Sequence, residues 1–320
     1  MQRGYLDFLN ENNLYKGSIK DWRINLIQTN CFCYDFVVNE HALCGASQTK
    51  KRLKEIKDHV LNQMEKRFVY YIATRKRVRF SMSNRPILTG NRVSICVEIG
   101  KEKELRKLDI FVPEGSCIKV TSDPRVISFT GPSGNTTSHE IHSFLQSIDA
   151  NLGIASEIQY VGMTKDPTRR PMFDGHIPLS RIAYEVDREE DDILVFFNVF
   201  KVMASAQNHR LNAEINIPNS ATNEVSAEDE GRIIEKALIF YFMPKYNIGN
   251  SANEIGELKN KLITLSQENN FKRIDFSLEV DGSSEYFAYS SPSVPIRANH
   301  SFSCEISDNE VELNQIPSFV

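Results

Sequence analysis

The chain has 320 residues, of which 41% are hydrophobic and 25% charged, with a formal net charge of −4. That composition excludes a disordered chain, a collagen-like repeat and a coiled-coil rod, and the length suits about two domains. No run of about 18 apolar residues occurs, so no membrane span is expected; Met1 to Lys20 lacks the apolar stretch of a secretory signal, which points to a cytoplasmic protein with free thiols.

Along the chain, Ile24 to Ile27 and Cys31 to Val38 read as strands. Cys31, Cys33, His41 and Cys44 form a C-x-C, x7, H-x2-C array, a poor spacing for zinc. Alternate residues of a strand share one face, so ordinary half-buried cysteines are the expected reading. The window Gln48 to Arg79 carries eleven basic and three acidic side chains, a local net of +8 that leaves −12 for the remainder. Leu53, Ile56, Val60, Leu61 and Met64 recur at helical spacing, predicting a helix from about Gln48 to Arg67. A strand from Phe68 to Thr74 follows. Lys50, Lys51, Arg52 and Lys54 before that strand, and Arg75, Lys76, Arg77 and Arg79 after it, are the expected nucleic-acid contacts. The plainer alternative is a solvated helix face and strand end. Further strands are expected at Val93 to Val97 and Lys107 to Val112, completing an N-terminal, strand-rich α+β domain over residues 1–115.

The stretch Ser156 to Asn247 carries the chemistry. Ile158-Gln-Tyr-Val-Gly162 is a strand ending in glycine, and Met163 to Arg170 reads as a turn and helix start. Ile193 to Met203 is too apolar to face solvent along its whole length. Ser226 is a good N-cap with acids in the first helical turn, and Pro244 ends that helix. A C-terminal helix is expected from about Asn253 to Gln267, then short strands around Arg273 to Val280 and Glu285 to Tyr289.

Three elements in this order resemble the GIY-YIG endonuclease family: Tyr160-Val-Gly162, the turn Thr164 to Arg170, and Glu235 to Asn247. The resemblance covers about residues 117 to 250. It implies that Arg170, with Arg169 as a near alternative, clamps the phosphate, that Glu235 holds Mg²⁺ or Mn²⁺, and that Asn247 closes the motif. Tyr160 would bond the water or phosphate. No Gly-Ile-Tyr precedes Tyr160. Val126-Ile-Ser-Phe129 is the expected partner strand, putting Ser128 or Phe129 where the family has tyrosine, with His139, His142 or Tyr160 as substitutes.

The residues support similar roles on chemical grounds. A single Mg²⁺ needs few protein ligands, and Glu235 is a carboxylate on an otherwise apolar helix segment. Arg170 can grip a nonbridging oxygen, and His176, just past Gly175, can shuttle a proton. Each has a plainer alternative: a solvated Glu235, a surface Arg170 or His176, a core Tyr160. For Asn247, capping the helix end is favoured over orienting Glu235.

The expected fold is therefore α+β, a small central β-sheet flanked by helices over residues 116–250. It is preceded by the basic N-terminal domain and followed by a helix and short strands over 251–320. The expected function is metal-dependent hydrolysis of nucleic-acid phosphodiesters, with DNA the expected substrate. The alternatives are an inactive scaffold that only binds nucleic acid, and a protein-interaction module.

Overall fold

The computed structural model describes residues 2–38, 46–62, 68–121, 123–171, 175–208, 212–247, 251–279, 285–307 and 310–315. Its elements in chain order begin with α1 (Asn13–Lys16), β1 (Ile19–Cys33), α2 (Asp35–Val38), α3 (Ala46–Asn62) and β2 (Phe68–Lys76). Next come β3 (Val78–Phe80), β4 (Ile87–Thr89), β5 (Arg92–Ile99), β6 (Glu104–Phe111), β7 (Cys117–Val120), β8 (Val126–Thr130), β9 (Thr136–Glu140) and α4 (Ile141–Ser147). Then follow β10 (Ser156–Thr164), α5 (Ile177–Glu185), β11 (Asp191–Asn208), β12 (Ala213–Pro218), α6 (Asn219–Thr222) and α7 (Ala227–Phe242). The last are α8 (Ser251–Asn269), β13 (Phe271–Ser277), β14 (Tyr289–Ser291), β15 (Val294–Arg297), β16 (Ser301–Ser307) and β17 (Glu310–Gln315).

The expectation of a small central sheet is overturned. A ten-stranded mixed sheet runs in the order β15-β14-β10-β2-β11-β1-β13-β16-β17, with β12 also on β11. The physical reason is strand length. β1 spans 15 residues and β11 spans 18, and they pair antiparallel from Ile19↔Gln207 to Cys33↔Leu194. A ladder that long has room for further strands on both sides, and all three expected segments contribute strands to it. Cys31 and Cys33 belong to β1, which ends at Cys33 instead of running to Val38. A bulge between Leu26 and Gln28 switches faces, so Trp22, Ile24 and Leu26 share one core with Cys31 and Cys33. His41 and Cys44 lie outside the described residues.

The central strands β2 and β11 are buried on both faces. Helices α7 and α8 cover one side through Ile233, Ala237, Leu258 and Leu262, against Tyr71, Ile158 and Phe196. Helices α3 and α5 cover the other through Leu53, Ile56, Val60, Leu179 and Ile182, against Tyr70, Ile72 and Phe197. That double cover explains why β11 reads as an unbroken apolar run. Between β2 and β10 the chain makes an excursion containing two small sheets, β3–β6 and β7–β9. β8, the expected partner of the Tyr160 strand, pairs instead with β7 and β9. Thr137 to Glu140, which reads as a capping box, is strand β9, and Glu140 itself caps α4 by accepting the amides of His142 and Ser143.

Part of the basic run is structural. Arg75 is 1% exposed, ion-paired with Glu285, and its guanidinium lies 4.0 Å from the Tyr286 ring centre. Arg79 grips Asp192 bidentately at 2.7 and 2.8 Å. Asp192 is fully buried and is also met by His142 Nε2 at 3.0 Å and the Val78 amide at 3.2 Å. Arg75 lies within β2 and Arg79 within β3, strands that run through the core, so both are internal ion pairs and not the expected phosphate contacts. Despite its burial, Asp192 sits well below the usual carboxylate range, held there by the His142 hydrogen bond and charge and by Arg79. Replacing it with alanine strands a buried guanidinium. Asp192→Ala is expected to destabilise the fold by about 3–5 kcal/mol in denaturant titration at neutral pH. A folded-state pKa below the unfolded value means that this stability is present above the unfolded value. It fades as pH falls towards the folded one, so the wild-type advantage should shrink in acid.

Candidate active site

The site begins with the antiparallel pairing of β2 and β10. Tyr70 stands opposite Gly162, Tyr71 opposite Val161, and Ile72 opposite Tyr160. A bulge between Ile158 and Tyr160 accommodates Gln159, so that Tyr160 turns to the Tyr70 face while Ile158 and Val161 stay in the opposite core. Bulges of this kind re-aim side chains beside active sites. The two phenol rings lie 6.1 Å apart, close enough for each hydroxyl to bear on the ionisation of the other. Gly162 makes this approach feasible. A Cβ there would sit 2.5 Å from the Tyr70 hydroxyl, 2.6 Å from its Cζ and 2.7 Å from Tyr160 Cε1. Gly162→Ala must therefore push both rings aside. It should cost about 1–3 kcal/mol in denaturant unfolding and disrupt whatever chemistry the rings perform.

Tyr70 is the residue that the sequence reading missed. It stands on the strand that pairs with the Tyr160 strand, far upstream of Val126 to Phe129. The available signal was Val69-Tyr-Tyr-Ile72 within an apolar strand, a short motif that many core strands contain. Of the three substitutes, Tyr160 is in the site and the two histidines fall elsewhere. His142 is 1% exposed between Asp192 and the Tyr286 hydroxyl, and His139 packs edge-on against Phe129.

His176 joins the pair. Its Nε2 lies 2.8 Å from the Tyr70 hydroxyl, and its ring centre lies 5.3 Å from that of Tyr160. It is also the N-cap of α5, where Nδ1 accepts the Leu179 amide at 3.1 Å. Nδ1 is thus an acceptor, so in the neutral ring Nε2 carries the proton and donates to the Tyr70 oxygen. Burial and the Arg170 charge push its pKa down to about 4. Neutral at physiological pH, His176 has both nitrogens engaged. It therefore orients and polarises Tyr70; the proton-shuttle expectation gives way to that of a fixed donor.

Asn247 does not cap the helix. Its side chain accepts the Val161 amide at 2.8 Å and donates to the Val161 carbonyl at 3.0 Å, while the Tyr246 amide donates to Gln159 O. The amide thus plugs the open edge of β10 between Tyr160 and Gly162. Met243, in the left-handed region, ends α7. Two residues further along β10, the Met163 backbone hydrogen-bonds Glu235.

Glu235 is half-buried, and burial, then the charge of Glu254, pushes its pKa up to about 7. Its cationic neighbours are engaged elsewhere, Lys236 with Glu254 and Glu257 and Arg232 with Glu228. Among the described residues Glu235 forms no ion pair, and no group of three His, Cys, Asp or Glu side chains could hold a metal. A lone carboxylate without a cationic partner suits Mg²⁺, which takes few protein ligands and keeps most of its hydration shell. Arg170 is exposed on the turn after β10, its amide donating to Asp166 O, and its charge acts on Tyr70, Tyr160 and His176. Arg169 is exposed on the same turn.

The basic helix lies close to this turn. Lys57 Nζ on α3 meets Asp166 Oδ2 at 2.5 Å. Lys50, Lys51, Arg52 and Lys54 are exposed, and Arg52 also lies over the Phe32 ring at 5.1 Å. Lys76 is ion-paired with Glu190, and Arg77 lines a separate cavity of about 420 Å³ with Lys101 and Lys103. Set against family models, curated proteins and solved structures, the chain matches none.

Proposed function

We propose that the chain is a metal-dependent endonuclease that hydrolyses DNA phosphodiesters in the manner of the GIY-YIG enzymes. The observation that carries this reading is the convergence of Tyr70, Tyr160 and His176 beside Gly162, within reach of the Arg170 charge and of the uncompensated Glu235. A purely structural cluster has no need of a half-buried carboxylate without a cationic partner or of a glycine whose Cβ would strike two tyrosines.

The residues divide the work as follows. His176 donates to the Tyr70 oxygen, and Tyr70 donates to Tyr160, which leaves the Tyr160 oxygen facing the reacting water. The water's proton passes to the ionised phenol pair, and the hydroxide so formed attacks phosphorus as the P–O bond on the far side breaks; the leaving oxygen departs with that bond's electron pair and takes a proton from solvent. Arg170 neutralises charge on a nonbridging oxygen in the transition state. Glu235 would hold a Mg²⁺, which would supply Lewis acidity. The exposed cations of α3 carry the adjoining phosphates.

The test is cleavage of supercoiled plasmid DNA in Mg²⁺ against EDTA. Nicking that appears with metal and disappears with EDTA is the expected outcome. Salt-sensitive binding with no cutting, across plasmids of diverse sequence, would instead fit a binding scaffold.

A further inference from the structure

Helix α5 has an inner face that anchors it and an outer face with no role in the fold. Leu179 and Ile182 are 3% and 0% exposed in the core beneath Tyr70, whereas Ile177 and Tyr184 are 79% and 90% exposed. These are the two most exposed large hydrophobic side chains among the described residues. Ser180 and Arg181 lie between them and are also exposed. Positions 177, 181 and 184 share one helical face, and seven residues of rise separate Ile177 from Tyr184 by about 10 Å. That span matches about three base-pair steps of duplex DNA. Arg181 lies 5.5 Å from the centre of the Tyr246 ring, and Lys245 stands beside both through Glu185.

We propose that this stripe is the base-contacting surface of the nuclease, with Ile177 and Tyr184 against the bases and sugars of duplex DNA and Arg181 at the flanking phosphate. The proposal rests on the nuclease reading of the Tyr70–His176 site. Two observations select DNA as the occupant. His176, hydrogen-bonded to Tyr70, is the residue immediately before Ile177, so a backbone whose phosphate reaches the site passes directly onto α5. Cations also lie with the apolar pair: Arg181 stands between Ile177 and Tyr184, and Lys245 joins it through the shared Glu185, so that this cluster of three charges is net positive. Apolar contacts to bases framed by phosphate-binding cations form a division of labour suited to nucleic acid.

The experiment compares wild type with the double variant Ile177→Ser, Tyr184→Ser. Fluorescence anisotropy in EDTA measures binding of a random-sequence duplex oligonucleotide across a salt series, and plasmid nicking in Mg²⁺ is measured alongside. The expected result is binding at least about tenfold weaker, an unchanged slope of affinity against salt, and unaltered thermal unfolding. By comparison, Lys51→Ala with Lys54→Ala should flatten the salt slope by nearly one for each phosphate that is no longer neutralised. If wild type binds and nicks DNA and the double variant binds equally well, the stripe proposal falls while the nuclease reading stands. If wild type neither binds nor nicks DNA, both fall. A wild-type dimer that the double variant dissociates in sedimentation, with DNA affinity intact, assigns the stripe to self-association and overturns the proposal.

Discussion

Glu235→Gln is expected to abolish plasmid cleavage while making the metal-free protein more stable at alkaline pH. The two effects share one cause. Glu235 keeps its carboxylate half-buried without a cationic partner, and its pKa rises to about 7 from an ordinary value near 4.5. A folded-state pKa above the unfolded value means that the folded chain binds the proton more tightly. Stability is therefore fully present below about pH 4.5 and is lost as pH rises through about 7. Above that, the folded protein carries a charge penalty of roughly 2 kcal/mol, after allowance for partial solvent screening. Glutamine removes the charge and nearly keeps the shape. In EDTA at pH 8 the variant should melt a few degrees above wild type, and the gain should vanish towards pH 4.5. Stability gained as activity is lost marks a residue retained for chemistry. A variant that cleaves normally would remove Glu235 from the mechanism. A variant that melts below wild type at pH 8 would show that the carboxylate is compensated after all.

How far the site was legible depends on how local each signal was. Tyr160-Val-Gly162, Glu235 and the end of α7 lie within short, strongly patterned segments, so their elements could be read directly. Ser226 does cap α7 and the apolar run at 193–203 does form a central strand. Tyr70 was not legible, because the pairing of β2 with β10 is long-range. Its contact with His176 spans 106 positions in the chain, and the strands between β2 and β10 lie in two separate small sheets. A short motif cannot signal across such an excursion, and the register that places Tyr70 opposite Gly162 is set by the sheet. The roles of Arg75 and Arg79 were hidden for a related reason. A run of cations looks like a surface in sequence, but the acids that bury it, Glu285 and Asp192, are remote. The size of the sheet escapes a sequence reading because β1 and β11 each look like shorter segments there, and long strands recruit neighbours from every part of the chain.

The Tyr70→Phe variant tests the site at the residue that only the fold reveals. Phenylalanine keeps the ring in the cluster with Phe68, Ile72 and Phe197, so unfolding should change little. It removes the hydroxyl that accepts from His176 Nε2 and that favours ionisation of Tyr160. Cleavage is expected to fall by about 10²–10⁴-fold, the usual contribution of a general base, with affinity for DNA unchanged in EDTA. The pH profile adds a second readout. His176 is depressed to about 4, so it should produce no limb near the ordinary imidazole value of 6.5. Burial raises the phenols, so wild-type kcat should instead climb with pH into the alkaline range. In Tyr70→Phe that climb should flatten, because the remaining phenol has lost the donor that favours its ionised form. His176→Ala should produce a milder version of the same defect, since it removes a polarising donor and leaves both phenols in place. If Tyr70→Phe cleaves at the wild-type rate with the same profile, the phenol pair is packing alone, and the attacking water must lose its proton elsewhere.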